Sequence, residues 1–312
     1  MAADIINKNL LSITKKEKQP GKRLPDLILT VMEGSDAQPF PERHLTDDPS
    51  CDSRCLLWGD GANLEELSYE SLAASYDRLT NDVPYGEILS FYEAILARRG
   101  LRPETALDLA CGTGSMAILL AQKGLSVLGA DVSEEMLTEA AAKAAELDNP
   151  PYFIRQRMEK LRLPMPVDLA VCCLDGVNYV TVPSALQETF RRVLAALNPG
   201  GLFIFDINSE AKLRALNGQL WLDEDDDVYC LWRTDYDETT RLCRYGMDIF
   251  TRRGRLWERT AEEHLEYAYR PEELTAWLEE AGFANVEVFG DRSLLPPRAD
   301  EQRIFFAAQK PL

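Results

Sequence analysis

Two acids, Asp108 and Asp131, each close a short apolar run, and a glycine turn separates them. The first run, Ala106-Leu107-Asp108-Leu109-Ala110-Cys111, leads into Gly112-Thr113-Gly114 and a helix-like stretch from Ser115. Glycine at both turn positions lets the backbone turn tightly and a ligand touch the main chain, while the first N–H groups of the following helix lack partners within it. The second run, Val127-Leu128-Gly129-Ala130, ends at Asp131, 17 positions after Gly114. That is close to the roughly 20-residue spacing at which a carboxylate meets a ribose. Two strand-end acids therefore flank one crevice suited to a nucleoside-containing ligand.

Charge decides which ligand suits it. Gly112, Gly114 and Ala117 also satisfy the dinucleotide pattern Gly-x-Gly-x-x-Gly/Ala. A pyrophosphate, however, asks for donors and a positive helix end, whereas Asp108 brings a negative charge and no Lys or Arg lies between Pro103 and Lys123. S-adenosylmethionine carries a sulfonium and an ammonium and no phosphate, so one carboxylate before the glycines and another for the ribose hydroxyls match it group by group. An NAD(P)-dependent oxidoreductase, a non-catalytic S-adenosylmethionine-binding protein and an ordinary strand–turn–helix with incidental acids stand as alternatives.

The segment Asp108-Leu109-Ala110-Cys111-Gly112-Thr113-Gly114 resembles the first motif of class I S-adenosylmethionine-dependent methyltransferases, and Asp131-Val132-Ser133-Glu134-Glu135-Met136-Leu137 is similar to their second. Residues 166–179, together with Phe205-Asp206-Ile207-Asn208, resemble the YqeM-like branch, and the likeness runs from about Ser68 to Gln309. The resemblance implies cofactor contacts from Tyr76, Asp108, Ala110, Gly112, Gly114, Asp131, Val132, Met136, Met158, Glu159, Cys173 and Asn178. Tyr76 would close over the methionine part of the cofactor or else pack inward. One departure stands out. Arg157 occupies the place where the family commonly has an acid facing the adenine amino group, and Glu159 follows two residues later. These are either adenine-site residues or solvated loop charges, with Met158 placed to cover the ring.

Methyl transfer needs a donor held in line with a nucleophile and water kept out, and positioning supplies much of the acceleration without a dedicated base. The strand-end segment Leu174-Asp175-Gly176-Val177-Asn178-Tyr179 emerges beside the crevice, and Asp175 is the candidate for acceptor positioning or proton acceptance. Only two histidines exist, His44 and His264, neither at an expected strand end, so a histidine-based hydrolase or metal site has little support. Asn149-Pro150-Pro151-Tyr152 spells an amino-methylase motif but precedes the third strand instead of following the fourth, where prolines serve as a helix stop.

The elements that must position these groups alternate in the α/β manner. Strands are expected near 105–110, 125–130, 152–156, 167–173 and 201–207, with helices near 114–123, 133–147 and 184–197. A helix carrying Ile88, Tyr92, Ile95 and Leu96 on one face would cap the sheet's edge. A last helix from Pro271 to Ala281 and strands near 285–289 and 302–308 close the fold. The expected architecture is a Rossmann-like doubly wound sheet, mostly parallel with an antiparallel last strand. An antiparallel β meander at about 212–269 is inserted as a lid or substrate platform. The acidic run at 223–227 reads as a solvated loop or, less readily, a cation site.

A formal charge of −18 repels phosphate backbones, so a small-molecule or protein acceptor is favoured over nucleic acid. The chain has neither a signal-peptide pattern nor an 18-residue apolar run, which implies a cytoplasmic protein without a membrane span. Seven cysteines, several in apolar runs, suit reduced thiols. Residues 1–65 are charged and rich in breakers, the texture of a loosely attached extension before a methyltransferase domain over 66–312. Cys51 and Cys55 with His44 fall short of four zinc ligands.

Overall fold

The computed structural model describes residues 83–312. The expectations for the extension, for His44, Cys51 and Cys55, and for Tyr76 lie outside these residues. Helix α1 (Tyr85–Arg98) has Glu87 in its first turn and Arg98 in its last, each opposing the helix dipole. Strand β1 (Thr105–Leu109), helix α2 (Ser115–Gln122) and strand β2 (Ser126–Asp131) follow. Helix α3 (Glu134–Ala144) starts at Ser133, whose hydroxyl accepts from the Met136 N–H, with Glu134 and Glu135 in the first turn. Then come β3 (Tyr152–Arg155), β4 (Val167–Cys172), α4 (Pro183–Ala196) with proline in its first turn, and β5 (Leu197–Asn208).

With the last two strands, β10 (Ala284–Phe289) and β11 (Arg303–Gln309), they form a seven-stranded sheet in the order β10-β11-β5-β4-β1-β2-β3. Strand β11 runs antiparallel to both β5 and β10 while the other pairs are parallel. The winding direction reverses between β1 and β4, so the crevice lies at the carboxyl ends of those two strands. One face carries α4 and α6 (Pro271–Ala281) over Phe203, Phe205 and Phe306. The Phe205 and Phe306 rings stack at 4.8 Å. The other face carries α1 and α2 over Ala106, Leu169, Ile204 and Phe305.

Helix α1 therefore covers a face of the sheet and not its edge. Its buried stripe includes Phe91, which meets Phe305 at 5.0 Å and Phe289 at 5.9 Å in edge-to-face geometry. Strands buried on both sides need an apolar layer on each, and this aromatic stripe supplies one.

Between β5 and α6 the chain forms α5 (Glu210–Ala215) and a four-stranded antiparallel sheet of β6 (Leu220–Asp225), β7 (Val228–Asp237), β8 (Leu242–Arg253) and β9 (Leu256–Tyr267), paired in sequence order. Val228, Cys230 and Trp232 alternate with more exposed residues, as do Tyr245, Met247 and Ile249 on β8. Their common inner face joins Met136 at the start of α3 in one apolar cluster. The acidic run at 223–227 is the tip of the β6–β7 hairpin, and Asp223 is buried, accepting from the Trp232 indole N–H at 2.9 Å. Among the described residues no helix is long and apolar enough to cross a membrane.

Candidate functional site

The crevice is built first by backbone. After β1 the chain passes through left-handed conformations at Ala110, Gly112 and Gly114. A side chain added at Gly114 would strike Ala140 and Phe153, whereas one at Gly112 would stand in open space at the cleft. The turn is held by the Cys111 N–H donating to the Ala130 carbonyl and the Gly114 N–H to that of Cys111. Asp131 accepts from the Gly112 N–H at 2.8 Å through one oxygen and from the Ser133 N–H at 2.9 Å through the other. Burial raises its carboxyl above the ordinary range despite those amides.

A cleft opens beside this turn. Of the residues expected to meet a cofactor, Ala110, Gly112, Asp131, Val132, Met136, Met158, Glu159 and Cys173 line it. Asp108 and Gly114 lie off the wall, and Tyr76 falls outside the described residues. Asp108 is fully buried, with no well-formed hydrogen bond to either oxygen, and burial pushes its carboxyl up to about 8 even though the Ala117 amide opposes the shift. A buried carboxyl of this kind gains when a cation comes near. Arg157 and Glu159 pair with each other at 2.6 Å on the wall, so the departure at Arg157 is locally neutralised.

The absence of nearby cations in sequence does not hold in space. Lys143 reaches from α3 to the Thr113 and Ser115 hydroxyls at 3.1 and 3.0 Å. None of the three lines the cleft, so this charge sits behind the turn. Asn149 of the misplaced motif donates to the Leu125 carbonyl, also away from the cleft.

At the end of β4 the arrangement differs from expectation. Leu174 and Asp175 are both left-handed without being glycine, a costly conformation that neighbouring contacts must hold. Asp206 on β5 does so by accepting both of their N–H groups, at 2.8 and 3.1 Å. Arg303 on β11 pairs with Asp206 and, at 2.9 Å, with Asp175. Asp175, expected to face an acceptor, is thus fully buried and turned toward Arg303. Asn178 is also redirected. Its amide donates to the Asn208 and Tyr267 carbonyls and accepts from the Asn208 N–H, each at 3.0 Å, joining the end of β5 to that of β9. Glu266, fully buried, accepts from Asn208 at 2.8 Å, and burial with the Asp175 charge beside it pushes its carboxyl up to about 7.

One group that the sequence argument set aside reaches this place. Tyr179, on the short 3-10 turn Gly176–Tyr179, lines the cleft, and its hydroxyl lies 3.3 Å from Nδ1 of His264 on β9. The other ring nitrogen lies 3.1 Å from Glu262. His264 sits mid-strand in a hairpin whose inner face is otherwise largely aromatic and aliphatic, so only its alternation with Glu262 and Glu266 on β9 could have marked it. Arg303, the first residue of β11, carried no comparable local signal.

The chain's comparisons with known proteins agree with this geometry. Residues 106–201 match the family described as methyltransferase domain. The methyltransferase-family protein YqeM of Bacillus subtilis (strain 168) is 33% identical over 246 residues, 78% of this chain and 98% of that protein. The crystal structure of an S-adenosylmethionine-dependent methyltransferase from Clostridium acetobutylicum ATCC 824 superposes with a TM-score of 0.71 at 31% identity, covering 78% of this chain and 99% of that one. The sugar N-methyltransferase KedS8 from Streptoalloteichus sp ATCC 53650 shares the fold, with a TM-score of 0.65 at 19% identity over 82% of this chain and 96% of that one. Neither the oxidoreductase reading nor that of a non-catalytic binding protein draws support from these matches. The glycine turn between two strand-end acids, the order of the seven strands and the whole-length likeness to YqeM lead to one conclusion: the chain belongs to the S-adenosylmethionine-dependent methyltransferases, in their YqeM-like branch.

Proposed function

We propose that this methyltransferase modifies a nitrogen or oxygen of a small molecule seated between the Gly176–Tyr179 turn and the inner face of the β6–β9 sheet. One observation carries the reading: Tyr179 belongs to the cofactor cleft and, through His264, to that second sheet. The charge of −18 suits a small acceptor more than a polynucleotide. The shared fold with a sugar N-methyltransferase is in keeping with such an acceptor.

When bound, S-adenosylmethionine supplies a methyl group made electrophilic by its sulfonium. The chain's residues would hold that cofactor as follows. The Asp131 carboxylate keeps lone pairs for ribose hydroxyls while its amide bonds hold it in place. Val132, Met136 and Met158 give the wall an apolar surface for a flat ring, with the Arg157–Glu159 pair beside Met158. Asp108, which keeps its proton below about pH 8 in the unliganded fold, would ionise as the cationic donor binds above it, where low dielectric strengthens the attraction. Orientation and exclusion of water by these walls supply the acceleration.

The test is transfer of label from methyl-labelled donor into fractionated cell extracts. Label in the low-mass fraction is the expected result, and label confined to RNA or to protein overturns the small-molecule reading.

A further inference from the structure

We propose that Tyr179, His264 and Glu262 form a proton-accepting relay for the methyl acceptor, with the Tyr179 hydroxyl as the group that touches it. This rests on the acceptor reading above, since a nitrogen or oxygen nucleophile must lose a proton during or after methylation.

The hydrogen-bonding roles follow from donor chemistry. An ionised Glu262 only accepts, so the ring nitrogen 3.1 Å from it, Nε2, carries the hydrogen. Nδ1 is then a bare acceptor, and the Tyr179 hydroxyl at 3.3 Å donates to it. The two rings meet edge to face at 5.8 Å. Glu262 and His264 side chains are each 3% exposed, so a costly polar pair has been buried, and its outlet is a hydroxyl on the wall of the cofactor cleft. A base oriented by a carboxylate and bonded to a hydroxyl is the arrangement by which proteins activate a proton acceptor.

The step balances. An acceptor N–H (or O–H) attacks the donor methyl, the new N–C (or O–C) bond forms as the C–S bond breaks, and S-adenosylhomocysteine leaves. The acceptor's proton passes to the Tyr179 oxygen while the Tyr179 proton moves to Nδ1 of His264. The resulting imidazolium faces Glu262 and later releases the proton to solvent. Among the described residues, the titratable groups facing His264 are Glu262 and Glu266 on its own strand, Tyr245 opposite it on β8, and Tyr179 from the turn.

The experiment uses the full chain with 15N-labelled histidine and the H44Q variant, which leaves His264 as the sole histidine. Ring-nitrogen shifts without any ligand should show Nε2 protonated and Nδ1 bare, and Tyr179→Phe should move the Nδ1 signal. The opposite tautomer, or an Nδ1 signal indifferent to Tyr179→Phe, overturns the relay. Turnover is then read with labelled donor and the low-mass extract as acceptor pool. His264→Gln should lower it by about 100-fold or more, within the usual range for general bases, and should flatten its pH profile. Donor affinity by calorimetry should stay within about twofold. A His264→Gln variant with wild-type turnover and profile also overturns the relay. If the wild type labels no low-mass acceptor, the acceptor reading fails, and the nuclear magnetic resonance result still decides whether the three groups are coupled as described.

Discussion

The two sides of the cleft are built by different physics. On the cofactor side the wall comes mainly from residues 110–136 and 156–159, and its key acid, Asp131, accepts from the amide of Ser133 two residues on and from that of Gly112 in the turn after the neighbouring strand β1. On the opposite side Asp175, Asp206 and Arg303, with Asn178, Asn208 and Glu266, bond to one another across the ends of β4, β5, β9 and β11. The first side is a local motif whose parts are placed by the backbone. The second is a network in which each charge depends on a partner far along the chain, so losing one member there should cost folding, whereas losing one on the cofactor side should cost binding.

The largest effect should come from Arg303. Arg303→Met leaves Asp175 and Asp206 buried without their cation, and breaking a buried pair costs about 3–5 kcal/mol. Urea unfolding should report that loss. A variant as stable as the wild type would mean that the network side is no more interdependent than the cofactor side.

Asp131→Ala sharpens the contrast from the other direction. The loss of hydrogen bonds to a charged group should weaken S-adenosylmethionine binding by about 1.5–3 kcal/mol. Calorimetric titration measures it, and unchanged affinity would move the ribose site elsewhere.

Protons give a third test. Asp108 stands near 8 in the folded chain against an ordinary 3.8, so between those values the folded state holds a proton that the unfolded state has released. Stability should therefore fall as pH rises through that window. Glu266, raised to about 7, acts in the same direction up to that pH. Melting temperatures between pH 5 and 9 should decline, and Asp108→Asn should flatten part of the slope. A melting temperature that rises over this range would show that Asp108 is ionised when folded.

The smallest effect belongs to Lys143. Lys143→Ala removes an exposed side chain behind the turn and should change stability by less than about 1 kcal/mol with donor affinity unchanged. A marked loss of affinity would place that charge in the cofactor's field and weaken the case that carboxylates alone select the ligand.

Much of the cofactor side was legible because its signals are local. Apolar runs closed by acids, glycines at left-handed positions and Ser133 before two glutamates state the ends of strands and helices within a few residues of where they occur. The network side was less legible, since the signal there was a side chain's type without its neighbours. Asp175 read as free for an acceptor because nothing near it in sequence announces Arg303, 128 residues away. Asn178 read as a cofactor contact for the same reason, although it ties β5 to β9. His264 was set aside because a mid-strand histidine has no meaning until pairing of β8 with β9 aims the inner face of the sheet at Tyr179, 85 residues earlier.

The sequence by itself determined the strand–turn–helix units, the glycine turn between two strand-end acids and the family, since these depend on backbone conformation and on patterns within one or two elements. Only the tertiary structure decided which carboxylates are neutralised, which amides act as latches and which histidine meets Tyr179. Those outcomes are set by burial and by pairing across strands, and neither is a property of any one segment of the chain.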